Sequence, residues 1–245
     1  MSRVFAAALL VVACSHRDVR PPDPIVRAPD PIVRAPDAAP VDAPHALAIV
    51  DAPIAWSDER ARLTLEYRRA HSDPAAADLT IEPHVIVLHY TDGSSANATR
   101  AYFDAPRIEA ARAQLARAGA VNVSAHFLID RDGTIYRLQP ETRFARHCIG
   151  LNHVAIGIEN VGDEHAYPLT DAQVAADAAL VRELVARFPI THLLGHHEVM
   201  KFEASPYYVE RDPTYRNDKP DPGARFMALV RARVADLHLR GPADR

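Results

Sequence analysis

HVIVLHY, residues 84–90, is the stretch on which the fold turns. Strand alternation puts Val85, Val87 and His89 on one face and Ile86, Leu88 and Tyr90 on the other. Apolar residues on both faces predict a strand of a mostly buried sheet, ending in a histidine. Two further stretches read the same way. VAIGIEN (154–160) is an apolar strand with Glu159 next to its last residue, and THLLGH (191–196) is a short strand that ends in His196. Loops just beyond strand ends are where α/β sheets place their chemistry.

Working outward, SAHFLID and TIYRL flank R-D-G and predict a β-hairpin over 124–138. Ser57 opens a helix over 57–71, with Leu63 and Tyr67 four apart on one face. Helices are also predicted over 97–104 and 107–117, the second entered at Pro106 and closed by Gly119. Thr170 and Gln173 form a capping-box pattern ahead of a long helix over 171–187. A closing helix spans 224–239, and the polar, aromatic and proline-bearing residues 198–223 read as a long functional loop. The mixed order of strands and helices predicts a single α/β domain over 56–240, with a central mixed β-sheet flanked by helices.

The chain has 245 residues, 48% hydrophobic and 24% charged, an ordinary globular composition. A net charge of −4 offers no basic footprint, so nucleic acid is not an expected partner. Two cysteines, Cys14 and Cys148, cannot form a disulfide framework. Ten of the twenty prolines fall between Pro21 and Pro74, and DPIVRAP occurs in tandem at 23–29 and 30–36. Such a segment favours extended polyproline II backbone, so 14–55 reads as a Pro-rich linker. Ahead of it, Arg3 and the apolar run 4–13 suit a signal-peptide core, too short for the ~20 residues that cross a bilayer. The run ends V-V-A-C, which resembles a bacterial lipoprotein box. That resemblance implies cleavage after residue 13, acylation of Cys14 and an anchor on the periplasmic face of the outer membrane; the alternative is a plain secretory signal and a periplasmic or secreted protein.

The segment GHHEVMKF (195–202) begins an H-E-x-x-H zinc pattern, but Lys201 stands where the second histidine belongs. Any metal site must draw on other parts of the chain. Catalytic zinc takes three protein ligands and leaves one position open. His89 and His196 end their strands, and NDKPDPG (217–223) offers Asp218 and Asp221, the latter stiffened between two prolines. Two imidazoles and a carboxylate suit Zn2+. Each residue alone also fits an ordinary structural role.

The conjunction is more specific. VIVLHYT, SAHFLIDRDGTIYRL, HCIGLNHVAIGIEN, GHHE and KPDPG, in this order over roughly residues 80–235, resemble the zinc-dependent N-acetylmuramoyl-L-alanine amidases of the amidase type 2 superfamily, which includes the peptidoglycan recognition proteins. The resemblance implies zinc held by His89, His196 and Asp221, Glu159 as general acid/base, and Lys219 as the oxyanion donor. It implies that His196 is the ligand, with His197 and Glu198 behind it or at the surface; strand alternation likewise allows only one of the two histidines to face the site. His126 and His147 also match histidines common in the family, and either line the substrate groove or serve as hydrogen-bonded structural groups. Arg143 and Arg146 are candidates for contacts with stem-peptide carboxylates. The loop after His196 is longer than the family's usual link. The implied activity is hydrolysis of the bond between N-acetylmuramic acid and L-alanine, in peptidoglycan or its muropeptide fragments, by a monomer tethered to the membrane. The alternative is a non-catalytic peptidoglycan-binding module. No G-x-S-x-G elbow is present, so a serine hydrolase of the α/β type lacks its signature.

Overall fold

The computed structural model describes residues 47–242. The signal peptide, Cys14 and the tandem repeat lie outside the described residues. The six-stranded sheet contains β1 (Ile49–Asp51), β2 (Val85–Tyr90), β3 (Phe127–Ile129), β4 (Ile135–Arg137), β5 (Ala155–Asn160) and β6 (His192–Gly195), in the order β1-β4-β3-β5-β2-β6. The hairpin pair β3–β4 is antiparallel; the other neighbours are parallel, so the sheet is mixed. Helices α1 (Asp58–His71), α2 (Ala96–Asp104), α3 (Ala113–Ala118), α4 (Asp171–Arg187) and α5 (Ala224–Arg233) flank it. Among the described residues no helix is long and apolar enough to cross a membrane.

The alternation of β2 and β5 builds the domain. Ile86, Leu88, Ile156 and Ile158, all fully buried, pack against Leu180, Val181 and Leu184 of α4 and Phe226, Met227 and Val230 of α5. Each such side chain contributes about 1.5–3 kcal/mol through removal from water. Val85, Val87 and Ala155 point to the other face, against Leu151, Val154 and Leu194. That second face carries His89 and Glu159, because His89 lies two residues on from Val87 and Glu159 four on from Ala155, an even spacing in each strand. The capping box at α4 is formed: Thr170 Oγ1 accepts from the Gln173 amide at 3.2 Å, and Gln173 Oε1 accepts from the Thr170 amide at 2.9 Å. Gln173 Nε2 also donates to the Ile129 and Val161 carbonyls, which ties the start of α4 to the ends of β3 and β5.

Four expectations change. The helix expected over 107–117 is only α3; Ile108 N–H donates to the Ala120 carbonyl and Asn122 N–H to that of Pro106. Pro106 pushes Ala105 into extended backbone and so ends α2, and Ile108 is buried. The closing helix stops at Arg233, and beyond a 3-10 turn Arg240 bridges to His192 at the edge of β6. Ile49–Asp51, inside the stretch read as linker, pairs with β4, and Ile54 is buried. His196–Phe202 is a 3-10 turn, so the alternation argument for His196 over His197 does not apply there.

The long segment after this turn is a strap packed along the domain. Tyr207 stacks on His84 with ring centroids 5.3 Å apart. Val209 N–H donates to the Gly150 carbonyl, Glu210 meets His71 at 2.8 Å with both side chains buried, and the Tyr215 hydroxyl accepts from Arg146 at 3.0 Å.

Candidate metal centre

Three adjacent parallel strands end at one place. In the register of β2 with β5, His89 stands beside Glu159; in that of β2 with β6, Leu88 stands beside Gly195, so His196 emerges next to His89. Asp221 arrives from the far end of the strap. His89 Nδ1, His196 Nδ1 and Asp221 Oδ2 form a triangle with edges of 3.0, 3.2 and 3.2 Å. All three residues are buried. Tetrahedral ligation at about 2.0–2.2 Å sets ligand atoms roughly 3.3–3.6 Å apart, so the triangle is close to the size zinc requires. With Asp221 ionised, protons do not make all three edges hydrogen bonds: two N–H groups aimed at Asp221 oppose each other at 3.0 Å, and a single shared N–H leaves one edge between two acceptors. A cation between three lone pairs resolves this conflict, and a two-nitrogen, one-oxygen donor set suits Zn2+. Asp218 does not join the cluster.

The electrostatics agree with ligation. Burial, with His196 nearby, lowers His89 to about 4, so the imidazole is neutral. Burial alone would raise the Asp221 carboxyl, but its hydrogen bonds with His196 and His89 outweigh that and hold it well below the usual carboxylate range. A neutral imidazole at His89 and an ionised carboxylate at Asp221 are states that bind metal.

A cavity of about 460 Å3 opens over this face, lined among others by His89, Glu159, His147, Lys219 and Arg112. Glu159 Oε2 has no hydrogen-bond partner among the described residues. Burial and then the Asp221 charge raise its carboxyl well above the usual range, while Arg112 and Lys219 pull it down. Glu159 thus brings to the cavity a carboxyl whose neutral form is favoured and one of whose oxygens is unpaired.

The two open histidines separate. His126 is fully buried: its Nε2 donates to the Arg143 carbonyl at 2.8 Å, and its Nδ1 accepts from the Gly157 amide at 3.0 Å. Both ring nitrogens are used on backbone, and His126 does not line the cavity. His147 does line it. Its Nδ1 lies 3.1 Å from His89 Nε2 and its Nε2 lies 3.2 Å from the Ala155 carbonyl. With Nε2 protonated to donate to Ala155, His147 Nδ1 accepts from His89 Nε2–H and leaves His89 Nδ1 as the free ligand. The arginines differ from expectation. Arg146 is 3% exposed and directs its guanidinium to the Gly119, Val121 and Leu115 carbonyls. Arg143 stacks on Trp56. The cationic groups that line the cavity free of such backbone duty are Lys219 and Arg112, the latter held by the Tyr102 hydroxyl at 2.9 Å. Arg112 sits in a stretch that reads as helix interior in the sequence, where nothing marks it.

The fold and the site together define an α/β domain with a buried His-His-Asp cluster able to hold a metal ion at the ends of three parallel strands. The family model described as N-acetylmuramoyl-L-alanine amidase matches residues 79–224, and the chain belongs to that family. Among curated relatives, the endolysin of Escherichia phage T7 is 35% identical over 86 residues, which are 33% of this chain and 57% of that protein. The endolysin of Enterobacteria phage T3 is 34% identical over the same length. The chain thus spans about 57% of the length of these relatives. Among solved structures, the endolysin LysCS from Clostridium intestinale URNW is 24% identical, with a TM-score of 0.49 over 80% of this chain and 99% of that one.

Proposed function

We propose that this protein hydrolyses the amide between N-acetylmuramic acid and L-alanine, in peptidoglycan or its muropeptide fragments, as a zinc amidase. The observation that carries the reading is the three-atom triangle of His89, His196 and Asp221 beside an unpartnered Glu159 oxygen in one cavity. Family membership supports the bond cleaved. When bound, zinc supplies Lewis acidity, which acidifies water to near-neutral values and polarises a carbonyl.

The chain's own residues supply the rest. Glu159, in its ionised form, takes the proton from the attacking water and returns it to the departing amine of L-alanine. Lys219 places a positive charge where the amide oxygen becomes negative, a role worth about 2.7–4 kcal/mol for one well-placed donor. His147 holds the ring of His89. Arg112 offers guanidinium N–H groups to the peptide side of the groove, where stem-peptide carboxylates are its natural partners. The proposed setting is the periplasmic face of the outer membrane, through an acylated Cys14; the V-V-A-C box and the Pro-rich stretch behind it support this.

The test compares release of stem peptides that begin with L-alanine from purified peptidoglycan, followed by mass spectrometry. The protein is assayed as isolated, after chelation and zinc restoration, and as Glu159→Gln. Release that needs both the metal and Glu159 is the expected result, with a loss of about 10²–10⁴-fold in the variant. Binding to the wall without release by the zinc-loaded protein would replace the enzyme reading with that of a recognition module.

A further inference from the structure

Next to the metal triangle, a set of hydrogen bonds runs through Gly195, His197, Glu198 and Arg231, four residues that do not line the cavity. His197 donates twice to the Asp221 carbonyl, from its main-chain N–H at 2.8 Å and from Nδ1 at 3.1 Å. Its ring folds back over Gly195, where a Cβ would stand 2.7 Å from His197 Cε1; only glycine leaves room for that turn. Glu198 accepts from the Gly195 amide at 2.8 Å and takes Arg231 in two-pronged fashion at 2.7 and 2.6 Å. Arg231 also reaches the Leu193 carbonyl at 2.7 Å. The pair is partly withdrawn from water, with side chains 12% and 33% exposed for Glu198 and Arg231. Such charge-assisted, bidentate contacts are the most directional a side chain can make.

These bonds have one common effect. His196 has a clamped residue on either side of it in the chain, and Asp221 is tied by its own carbonyl to the residue after His196. The two ligands are 25 positions apart, and beyond the 3-10 turn the chain between them is the irregular strap, which has no regular element to set a spacing to tenths of an ångström. The contacts of His197, Glu198 and Arg231 set it.

We propose that Gly195, His197, Glu198 and Arg231 form a positioning clamp that presets the distance between His196 and Asp221 and thereby sets the affinity of the site for zinc. The proposal rests on the metal-site reading above. Ligands already at their bound spacing lose less freedom when the ion arrives, and partners that orient metal ligands are worth about 10–100-fold in affinity. The truncated pattern H-H-E-x-x-K then has a purpose: its glutamate serves as a brace instead of a protease base.

The experiment measures Zn2+ affinity by competition with a chromogenic chelator, for the unaltered protein and for Glu198→Ala, Glu198→Gln, Arg231→Ala and Arg231→Lys. Arg182→Ala is the control. It removes the exposed Arg182–Asp236 ion pair, which also ties α4 to the segment after α5 but touches no ligand. Thermal unfolding of each metal-free form is recorded alongside, with the visible spectrum of each Co2+-loaded form. The alanine variants are expected to bind zinc about 10–100-fold more weakly and to show altered Co2+ bands. Glu198→Gln, which keeps an acceptor for the Gly195 amide, is expected to fall between them and the unaltered protein, and Arg182→Ala to bind as the unaltered protein does. Should an alanine variant fail to fold, Glu198→Gln and Arg231→Lys carry the test. Zinc affinity unchanged within about twofold in the clamp variants overturns the proposal. So does affinity that falls in step with metal-free stability in every variant, the control included. An unaltered protein that binds no zinc sinks the metal reading itself, which that first arm reads by itself.

Discussion

Asp177 lies on α4 with no exposure to solvent, and neither of its carboxyl oxygens has a partner in hydrogen-bond geometry among the described residues. Burial pushes the carboxyl up to about 8, against an ordinary 3.8, and the neighbouring Asn160 side chain offsets only part of this. Folded protein at pH 7 therefore keeps a proton that the unfolded chain released about three pH units lower. At about 1.4 kcal/mol for each unit, holding Asp177 folded and neutral at pH 7 costs about 4 kcal/mol relative to acid conditions. The sign follows from proton counts. The native state binds more protons than the unfolded state between about pH 4 and 8, so this residue makes stability fall as pH rises through that window and level off above it. Asp177→Asn keeps the shape and removes the proton. The variant is expected to match the unaltered protein near pH 4 and to exceed it by up to about 4 kcal/mol at pH 7. Urea titrations at pH 4, 5.5, 7 and 8.5 measure the difference. A stability gap that does not change with pH would refute the reasoning, because it would mean that Asp177 has the same charge folded and unfolded.

Three further outcomes follow from the site. Lys219→Met is expected to lower kcat by about 10²–10³ with KM little changed, since the amine is needed where negative charge develops; a pure KM effect in steady-state assays would move Lys219 to substrate binding. A Cβ at Gly157 would lie 2.6 Å from the His147 ring. Gly157→Ala is thus expected to displace that ring from His89 and to destabilise the protein by about 1–3 kcal/mol, read from thermal or urea unfolding. Saturating zinc at about 1,000 times its Kd should add roughly 4 kcal/mol to stability, and EDTA should remove it; a melting temperature indifferent to both would argue that nothing binds between the three ligands.

Much of the sheet was legible because three of its strands are pure alternation or apolar runs: β2, β5 and β6 lie where HVIVLHY, VAIGIEN and THLLGH predict. The long helix α4 announced itself through Thr170 and Gln173. Other features rest on contacts that no short window contains. His126 and His147 look alike in sequence, yet one has both ring nitrogens taken up by the backbone of Gly157 and Arg143 while the other faces the cavity. Gly157 reads as an unremarkable strand glycine until His147 is found lying across it. Arg146 and Arg112 carry the same charge and both border the cavity, and only packing decides that one is committed to backbone carbonyls and the other to the Tyr102 hydroxyl. Local propensity favoured helix from Arg107, but burial of Ile108 and pairing with the 120–122 segment overrode it. β1 escaped notice because three residues beside a proline-rich stretch carry almost no periodic signal.

The strap leaves the metal centre at His197 and returns to it at Asp221, and those two residues are bonded to each other by a 2.8 Å main-chain contact. It is therefore a closed detour, whose mouth is sealed independently of its contents. The entropy of closing such a detour grows only slowly with its length, by about 0.6 kcal/mol for each doubling. Residues can be gained or lost between its anchor points, most easily at the exposed Arg211, Pro213 and Thr214, without moving the ligands at its mouth. The segment is in this sense a region of slack: a place where the chain can change its surface while the His-His-Asp cluster stays as it is.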